Sequence, residues 1–327
     1  MSPDADAVRA VDLHKFFGET EAVRGLNLRV PAGSFFGFLG PNGAGKTTTI
    51  GMLCTLLRPT AGTAYVAGHD VVREADEVRR RIGIVFQDTT LDGDLTADEN
   101  LRFQAALFGL HRRLSGRAID EMLELVGLSD RRDVPVRMFS GGMRRRLEIA
   151  RGLLHAPSVL FLDEPTSGLD PQTRLAVWEY LRQLRSAYGI TVFLTTHHLE
   201  EAENCDEIAI IDDGAVIARG TPTELKGIIG SDRVRLRTAD DEVAVNLLKD
   251  RFGLLTEDPE LAAGEGLEVR VADGAAFLPR LVRDLGVPVL SVTVSPPSLD
   301  DVFVHYTGRT IREGELSPMT MADLTGR

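Results

Sequence analysis

The sequence is poor in cysteine and in aromatic residues, and it contains no long hydrophobic run. Only two of its 327 residues are cysteines, Cys54 and Cys205, and aromatic residues make up 6% of the chain. So little cysteine excludes a disulfide-stabilised scaffold, and we expect both thiols to be small buried groups in a reducing compartment. Because no stretch approaches the roughly 18 consecutive apolar residues of a membrane-spanning helix, we expect no such span. The N-terminal residues 1–10 include acids and lack the apolar core of a signal peptide.

Basic residues are also fewer than acidic ones. The chain has 37 Lys and Arg residues against 49 Asp and Glu residues, so its net charge is −12 at pH 7. Nucleic acids are bound by basic surfaces, and this balance therefore argues against nucleic acid as a partner. A hydrophobic fraction of 43% and a charged fraction of 26% are ordinary for a soluble globular protein. The length leaves room for one large domain and a smaller one.

A glycine-rich loop follows the apolar run Ser34–Leu39 and precedes an amphipathic segment, Thr49–Leu57, that predicts a helix. Strand, glycine loop, Lys-Thr and helix, in this order, are typical of a phosphate-binding loop. Glycines let backbone N–H groups turn inward to phosphate oxygens, and the helix N-terminus adds partial positive charge. We expect Lys46 to reach the β- and γ-phosphates of a nucleoside triphosphate and Thr47 to ligate Mg²⁺. The predicted nucleotide-binding residues of this loop are Gly40, Pro41, Asn42, Gly43, Ala44, Gly45, Lys46, Thr47 and Thr48.

A second motif places two carboxylates after an apolar run. Val159–Leu162 reads as a buried strand and is followed directly by Asp163 and Glu164. Such a strand delivers its acids to the carboxyl edge of a parallel sheet, where the glycine loop also lies. Asp163 suits Mg²⁺ either as a direct ligand or through a bound water, and Glu164 is placed to orient or deprotonate the water that attacks the γ-phosphate. Alone the motif is weak, because apolar runs often end in surface acids; after a phosphate-binding loop it predicts hydrolysis.

The remaining patterns indicate two domains. Short apolar runs alternate with amphipathic helical segments over residues 8–226, which predicts an α/β domain with buried parallel strands. Residues 96–152 show only helical patterns and predict a helical insertion into this domain. Residues 230–308 predict a small α+β domain, which would have a ferredoxin-like order if one more strand lies near Leu254. The polar tail, residues 309–327, is expected to be loosely held.

A third motif, Phe139–Met143, reads Phe-Ser-Gly-Gly-Met, and its serine lies 23 residues before Asp163. Serine and two glycines at a helix start offer a hydroxyl and free N–H groups to a phosphate, although a simple helix cap looks similar. Taken together, the motifs resemble those of ATP-binding cassette (ABC) ATPases over about residues 8–223. The resemblance implies a P-loop fold with a RecA-like core, an antiparallel β subdomain and a helical subdomain. The motifs that carry it are Gly40–Thr48, Gln87, Phe139–Met143, Val159–Glu164, Gly168–Asp170 and Thr195–His197.

The resemblance assigns further site residues. It implies that Phe17 stacks on adenine, where the alternative is an ordinary core phenylalanine. Gln87 matches the family glutamine that contacts Mg²⁺ and the attacking water, and His197 matches the histidine that contacts the γ-phosphate. The next residue, His198, receives no role. The remaining nucleotide contacts that the resemblance implies come from Ser140, Gly141, Gly142 and Asp170.

Two features resemble a subgroup, the daunorubicin/doxorubicin-resistance type of ABC ATPase. The signature motif has Phe139 and Met143 where the family usually has leucine and glutamine, and the basic run Arg144–Arg146 follows it. The contacts that the usual glutamine makes are therefore left open. The ending Ser298–Phe303, with Thr307–Arg309 after it, resembles the same subgroup.

The resemblance also implies how the chain works. Two identical copies would pair so that the glycine loop of one and the signature motif of the other enclose each ATP. Their closure and release would drive a separately encoded integral-membrane permease, which places the chain at the cytoplasmic face of the cell membrane. The expected function is the ATPase subunit of an exporter of hydrophobic drugs or antibiotics, with ATP and Mg²⁺ as cofactors.

Three points stay open at this stage. The first alternative function is an exporter of lipids or glycans, and a more remote one is a soluble ABC ATPase that does not transport. The transported molecule is not readable, because its contacts lie in the permease. The C-terminal domain is expected to be regulatory and to stabilise the dimer, and the alternative is a drug-binding sensor.

Overall fold

The structure, a computed structural model, describes residues 6–255 and 266–308. The predicted tail, residues 309–327, lies outside the described residues. Contacts divide the chain into two units, of which the first reaches Pro222 and the second begins at Thr223. Across the described ranges, no helix combines the length and the hydrophobicity that a membrane span needs.

Two sheets form the first unit. One has four strands in the order β2-β1-β4-β5 and is antiparallel; the other has six in the order β10-β9-β3-β8-β7-β6 and is parallel except for β10. Their bounds are β1 (Asp6–Phe17), β2 (Thr20–Pro31), β3 (Phe35–Leu39), β4 (Ala61–Val66), β5 (His69–Asp70), β6 (Ile82–Val85), β7 (Val159–Asp163), β8 (Thr191–Thr196), β9 (Glu207–Asp212) and β10 (Ala215–Gly220). The α/β prediction is therefore confirmed.

The centre of the large sheet is held by aromatic packing between neighbouring strands. The ring of Phe193 on β8 lies 5.4 Å from Phe36 and 5.7 Å from Phe38 on β3, and 5.3 Å from Phe161 on β7, between ring centroids. All four side chains are fully buried, as expected of parallel strands covered on both faces. This packing fixes the three strands against one another, so their carboxyl ends form a single edge.

The α-helices of the first unit are α1 (Lys46–Leu53), α2 (Ala75–Arg81), α3 (Ala97–Leu107), α4 (Arg112–Leu125), α5 (Gly141–Leu153), α6 (Pro171–Tyr188) and α7 (Leu199–Ala202). Three of them, α3, α4 and α5, lie between β6 and β7. The predicted helix Thr49–Leu57 was wrong at both ends. It begins earlier because Lys46 directly follows the glycine loop, and it ends earlier because Thr55 adopts a left-handed conformation with φ of 63°. The N–H groups of Leu56 and Leu57 then turn back to the carbonyl of Gly51.

The second unit is a small antiparallel sheet with helices, and its described strands run in the order β12-β11-β13. Its elements are α8 (Pro222–Ile229), β11 (Asp232–Thr238), α9 (Asp241–Phe252), β12 (Leu267–Val271), α10 (Gly274–Asp284), β13 (Val289–Ser295) and α11 (Leu299–Thr307). Alternate residues of β11, Val234 and Leu236, pack with Leu248 of α9 and Leu281 of α10 in one core.

The additional strand predicted near Leu254 does not form at that residue. Gly253 ends α9 in a left-handed conformation with φ of 70°, and the N–H of Leu254 bonds back to the carbonyl of Leu248. This is a helix C-cap, which occupies the backbone groups that a strand would use. Residues 256–265, where the rest of such a strand would lie, are outside the described residues.

Both cysteines are buried, free thiols. The sequence patterns around both cysteines predict helices, but Cys54 lies directly after α1 and Cys205 shortly after α7, so both lie outside the helices. Burial raises the pKa of each thiol well above its ordinary value, because the thiolate would lose its hydration. Both behave as small apolar residues, in agreement with the prediction.

Candidate active site

The glycine loop joins β3 to α1 and passes close to neighbouring backbone. A Cβ atom on Gly40 would lie 2.2 Å from the carbonyl oxygen of Ile211, and one on Gly45 would lie 2.6 Å from that of Ala22. Gly45 is also the N-cap of α1, with a left-handed φ of 103°. Only glycine satisfies these constraints. The loop therefore folds tightly over the N-terminus of α1, which is the arrangement that binds phosphate.

Lys46 is buried beneath this loop, with 5% of its surface exposed. Its ammonium group donates hydrogen bonds to the carbonyls of Gly40 at 2.8 Å and Pro41 at 3.1 Å. It also lies 3.6 Å from Oε1 of Glu164. Burial lowers the pKa of Lys46, while the carboxylates of Glu164 and Asp163 oppose that shift. The ammonium group is thus held directly beneath the glycine loop.

Asp163 ends β7 and is almost fully buried. Its Oδ1 accepts a hydrogen bond of 2.5 Å from the hydroxyl of Thr195 on β8. Burial raises the pKa of Asp163, and the neighbouring Glu164 carboxylate adds to this, while hydrogen bonds from Thr195 and Thr47 act in the opposite direction. The carboxylate is therefore held in a fixed position beside the start of α1.

Glu164 follows Asp163 in an unusual backbone conformation, with a left-handed φ of 46°. Its N–H group approaches the carbonyl and the hydroxyl of Thr195 at 3.2 and 3.1 Å. Burial acts to raise the pKa of Glu164, but the imidazole of His197 and the ammonium of Lys46 outweigh it and hold the pKa below its ordinary value. Strained backbone at a functional carboxylate is a recurrent feature of active sites.

His197 lies at the same edge, in the loop after β8. Its Nδ1 is 3.1 Å from Oε1 of Glu164, so the two side chains emerge together as predicted from the strand order. His198 is the N-cap residue of α7, and its ring centroid lies 4.1 Å from that of His197. His197 therefore contacts the carboxylate of Glu164 directly.

Gln87 and Phe17 belong to two other parts of the first unit. Val85 of β6 pairs with Leu162 of β7, so Gln87 and Glu164 each lie two residues beyond this pair, at the same sheet edge. Phe17, at the end of β1, is only partly buried, and the ammonium of Lys15 lies 5.0 Å from its ring centroid. A partly exposed ring favours the stacking role over a core role.

The signature residues contact a different part of the unit. Ser140 is the N-cap of α5 and accepts a hydrogen bond from the N–H of Met143 at 3.2 Å. Ser140 and Gly141 are exposed, and Gly142 packs so closely on Thr173 that a Cβ atom would lie 2.3 Å from its methyl carbon. Asp170 caps α6, and its two oxygens accept hydrogen bonds from the N–H and hydroxyl of Thr173. Gly142 and Asp170 therefore both contact Thr173, in the first turn of α6.

Sequence reasoning missed two residues of this region. Thr195 belongs to a motif that the sequence flagged, yet no role was assigned to it; it contacts both Asp163 and Glu164. Arg145 was noted only as part of a basic run, and its buried contacts are described below. A glutamate three residues after this arginine, Glu148, was the signal that could have predicted a paired, buried arginine.

Comparison with known proteins shows which family the chain resembles. The family described as "ABC transporter" matches residues 23–167, and "ATP-binding protein DrrA1-3-like, C-terminal domain" matches residues 220–307. The chain is 46% identical to the daunorubicin/doxorubicin resistance ATP-binding protein DrrA of Streptomyces peucetius, with 92% of each chain covered. It is 43% identical to the Nod factor export ATP-binding protein I of Ralstonia nicotianae, covering 92% of this chain and 94% of the relative.

A solved structure shares the fold. The ATP-binding cassette MJ0796, in a dimeric post-hydrolysis state bound to ADP and Pi, superposes with a TM-score of 0.59 at 29% identity, covering 65% of this chain and 98% of that one. Fold, site and sequence therefore define an ATP-binding cassette. The chain belongs to the ABC transporter family of ATP-binding proteins, in the group that carries the DrrA-like C-terminal domain. It is an ATP-binding ATPase subunit of an exporter.

Proposed function

We propose that this ATPase works as a pair of identical chains on a separately encoded membrane permease, and that it drives the export of hydrophobic drugs or antibiotics. The observation that carries the proposal is the convergence of Lys46, Glu164 and His197 beside the glycine loop. Such a site can hold a triphosphate and activate water next to it. With this assignment the chain works at the cytoplasmic face of the cell membrane.

The three converging side chains have distinct roles in this proposal. Glu164 orients and deprotonates the attacking water, and its lowered pKa keeps it ionised near neutral pH, as a base requires. Lys46 exchanges its carbonyl partners for the β- and γ-phosphates, which are stronger acceptors. His197 holds Glu164 from one side and donates a hydrogen bond to the γ-phosphate.

The residues beside Glu164 fit a Mg²⁺ ion. The described residues contain no group of three or more His, Cys, Asp or Glu side chains that could hold a metal by themselves. Mg²⁺ in nucleotide sites commonly uses one or two protein oxygens together with phosphates and water. The Thr47 hydroxyl, the Asp163 carboxylate and the Gln87 amide would supply those oxygens. Bound there, Mg²⁺ neutralises charge on the phosphates.

The exposed signature motif supports the paired arrangement. Ser140 and Gly141 lie at the open N-terminus of α5, a position that favours an anion. In the proposed dimer they meet the γ-phosphate held by the glycine loop of the other copy, with Gly142 and Asp170 behind them. Phe17 stacks on the adenine at the opposite end of the nucleotide. Each ATP would then be enclosed by both chains.

The first unit contains a groove that suits a helix of the permease. It has a volume of about 470 Å³ and lies between β6 and α3. Two apolar side chains on its rim, Phe103 and Leu107, are 62% and 66% exposed. Phe86, which also lines the groove, immediately precedes Gln87. An apolar helix seated there would be connected directly to the catalytic edge of the sheet.

Changing the rim of this groove is expected to detach the chain from membranes. In the source cells, a tagged Phe103→Asp/Leu107→Asp variant should move from the membrane fraction to the wash, while the purified variant keeps its ATPase rate. Val243→Asp on α9 is the matched control, because Val243 is also apolar and 45% exposed. Membrane recovery of the double variant equal to that of the control would remove the groove from the proposal.

The substrate assignment can be tested by drug accumulation. Cells without the gene should retain more daunorubicin than cells that carry it, and a Glu164→Gln chain should not restore efflux, as measured by cellular drug fluorescence. Similarity to Nod factor export proteins is the reason to keep a second candidate function, export of a lipid or glycan. Unchanged daunorubicin retention, with loss of such a molecule from the medium, would select that candidate.

We further propose the domain organisation that the sequence predicts. Residues 8–226 form the nucleotide-binding domain, with residues 96–152 as its helical subdomain. Residues 230–308 form a regulatory and dimer-stabilising domain. Support for a non-catalytic role is that the described part of this domain lacks a glycine-rich phosphate loop and holds no metal-binding cluster. The drug-sensor alternative stays open.

A further inference from the structure

The three side chains of the basic run Arg144–Arg146 on α5 have different hydrogen-bond partners. Arg144 donates a hydrogen bond to the carbonyl of Phe139, at the signature motif, and Arg146 donates one to the carbonyl of Val126. Arg145 instead points inward and is 7% exposed. A guanidinium group is rarely buried without partners, because the loss of its hydration must be offset.

Arg145 uses every one of its N–H groups. Nε donates to the carbonyl of Pro165 at 2.6 Å; Nη2 donates to the carbonyls of Asp163 at 3.2 Å and Glu164 at 2.9 Å. Nη1 donates to the carbonyl of Phe86 at 2.5 Å and to the carboxylate of Glu148 at 3.2 Å. A guanidinium has five such donors in a rigid plane, and all five are engaged here.

These partners belong to the two segments that hold the catalytic groups. Three successive carbonyls, those of residues 163–165, surround the left-handed backbone of Glu164. The fourth belongs to Phe86, the residue before Gln87. Glu148 extends this hydrogen-bond network to the segment after Gln87. Its second carboxylate oxygen accepts a hydrogen bond from the N–H of Thr90 at 2.9 Å.

We propose that Arg145 is a positioning residue, which fixes the backbone at Glu164 and Gln87 and thereby ties both to the helix that begins at the signature motif. This inference rests on the proposed catalytic roles of Glu164 and Gln87. In the dimer, α5 starts at the nucleotide of one site, while Arg145 holds the water-activating groups of the other. A shift of α5 on ATP closure therefore reaches the second site through a single side chain.

The test measures phosphate release, mant-ATP affinity and thermal unfolding of the purified full-length chain. Arg145→Met is expected to lower kcat at least tenfold, because a displacement on the order of 1 Å in a catalytic group costs up to about a hundredfold. The Kd for mant-ATP should change less than about threefold, since Arg145 does not contact the glycine loop. Arg146→Met is the matched control and should keep kcat within about twofold.

A second pair of variants separates positioning from stability. Arg145→Met leaves the buried Glu148 carboxylate without its cationic partner, so Arg145→Met/Glu148→Gln should regain thermal stability while its kcat stays low. Arg145→Lys keeps the charge but not the planar fork, and an intermediate kcat is expected. If kcat returns together with the unfolding temperature in the double variant, or if Arg145→Met equals Arg146→Met, the positioning role is refuted. Wild-type hydrolysis by Glu164→Gln would instead overturn the proposed function.

Discussion

Replacing Glu164 with glutamine is expected to reduce ATP hydrolysis by roughly a thousandfold, within the range that a general base contributes. The amide has nearly the shape of the carboxylate but cannot accept a proton from water. Because Lys46 and the glycine loop are unchanged, ATP affinity should stay within a few fold of the wild-type value. Phosphate release under saturating ATP measures the first quantity, and equilibrium binding of ATP measures the second.

The same variant should reveal the paired state. A dimer that closes on ATP and cannot hydrolyse it is expected to persist, and gel filtration with ATP should show it. Glu200→Gln on α7 is a matched control, since Glu200 is exposed and lies in the same part of the chain. Normal phosphate release by Glu164→Gln would show that the catalytic base is another residue, regardless of the gel-filtration result.

The alanine variant of His197 is expected to hydrolyse ATP roughly a hundredfold more slowly, the scale for removing one positioned polar group from a charged transition state. The imidazole lies 3.1 Å from Oε1 of Glu164, closer than the ammonium of Lys46 at 3.6 Å. ATP affinity should change only a few fold, since the glycine loop and Lys46 hold most of the phosphate. A phosphate-release assay with a parallel binding titration separates the two effects.

The adjacent histidine provides the control. His198 has the same ring chemistry, lies 4.1 Å from His197 between ring centroids, and is the N-cap residue of α7. Its alanine variant should therefore retain hydrolysis within about threefold. If His198→Ala were the slower of the two, the residue that contacts the γ-phosphate would have to be moved one position along the loop.

Much of the fold was predictable because its signals are local in sequence. The strands β3, β7 and β8 are continuous apolar runs, as parallel strands must be when helices cover both faces. The glycine loop and the pair Asp163 and Glu164 each follow such a run, so the strand order alone brings them to one edge. The contact between His197 and Glu164 follows from the same argument.

What could not be predicted depends on contacts between distant residues. The apolar pattern of α1 continues to Leu57, but the turn at Thr55 ends the helix, and no local rule marks a non-glycine residue for a left-handed conformation. The carboxylate of Asp170 is used as a helix cap, which the motif alone does not indicate. The inward direction of Arg145 depends on carbonyls about 20 and 60 residues away in sequence, so a basic run appeared to be surface charge.

The buried thiols have a practical consequence for labelling experiments. A maleimide or a bifunctional crosslinker reacts with thiolates that it can reach, and Cys54 and Cys205 are both enclosed and protonated. The native sequence can therefore serve as its own cysteine-free background. A single cysteine introduced at an exposed position would carry the only reporter dye on each folded chain, so that distances between two copies could be followed through the ATP cycle without first replacing any native residue.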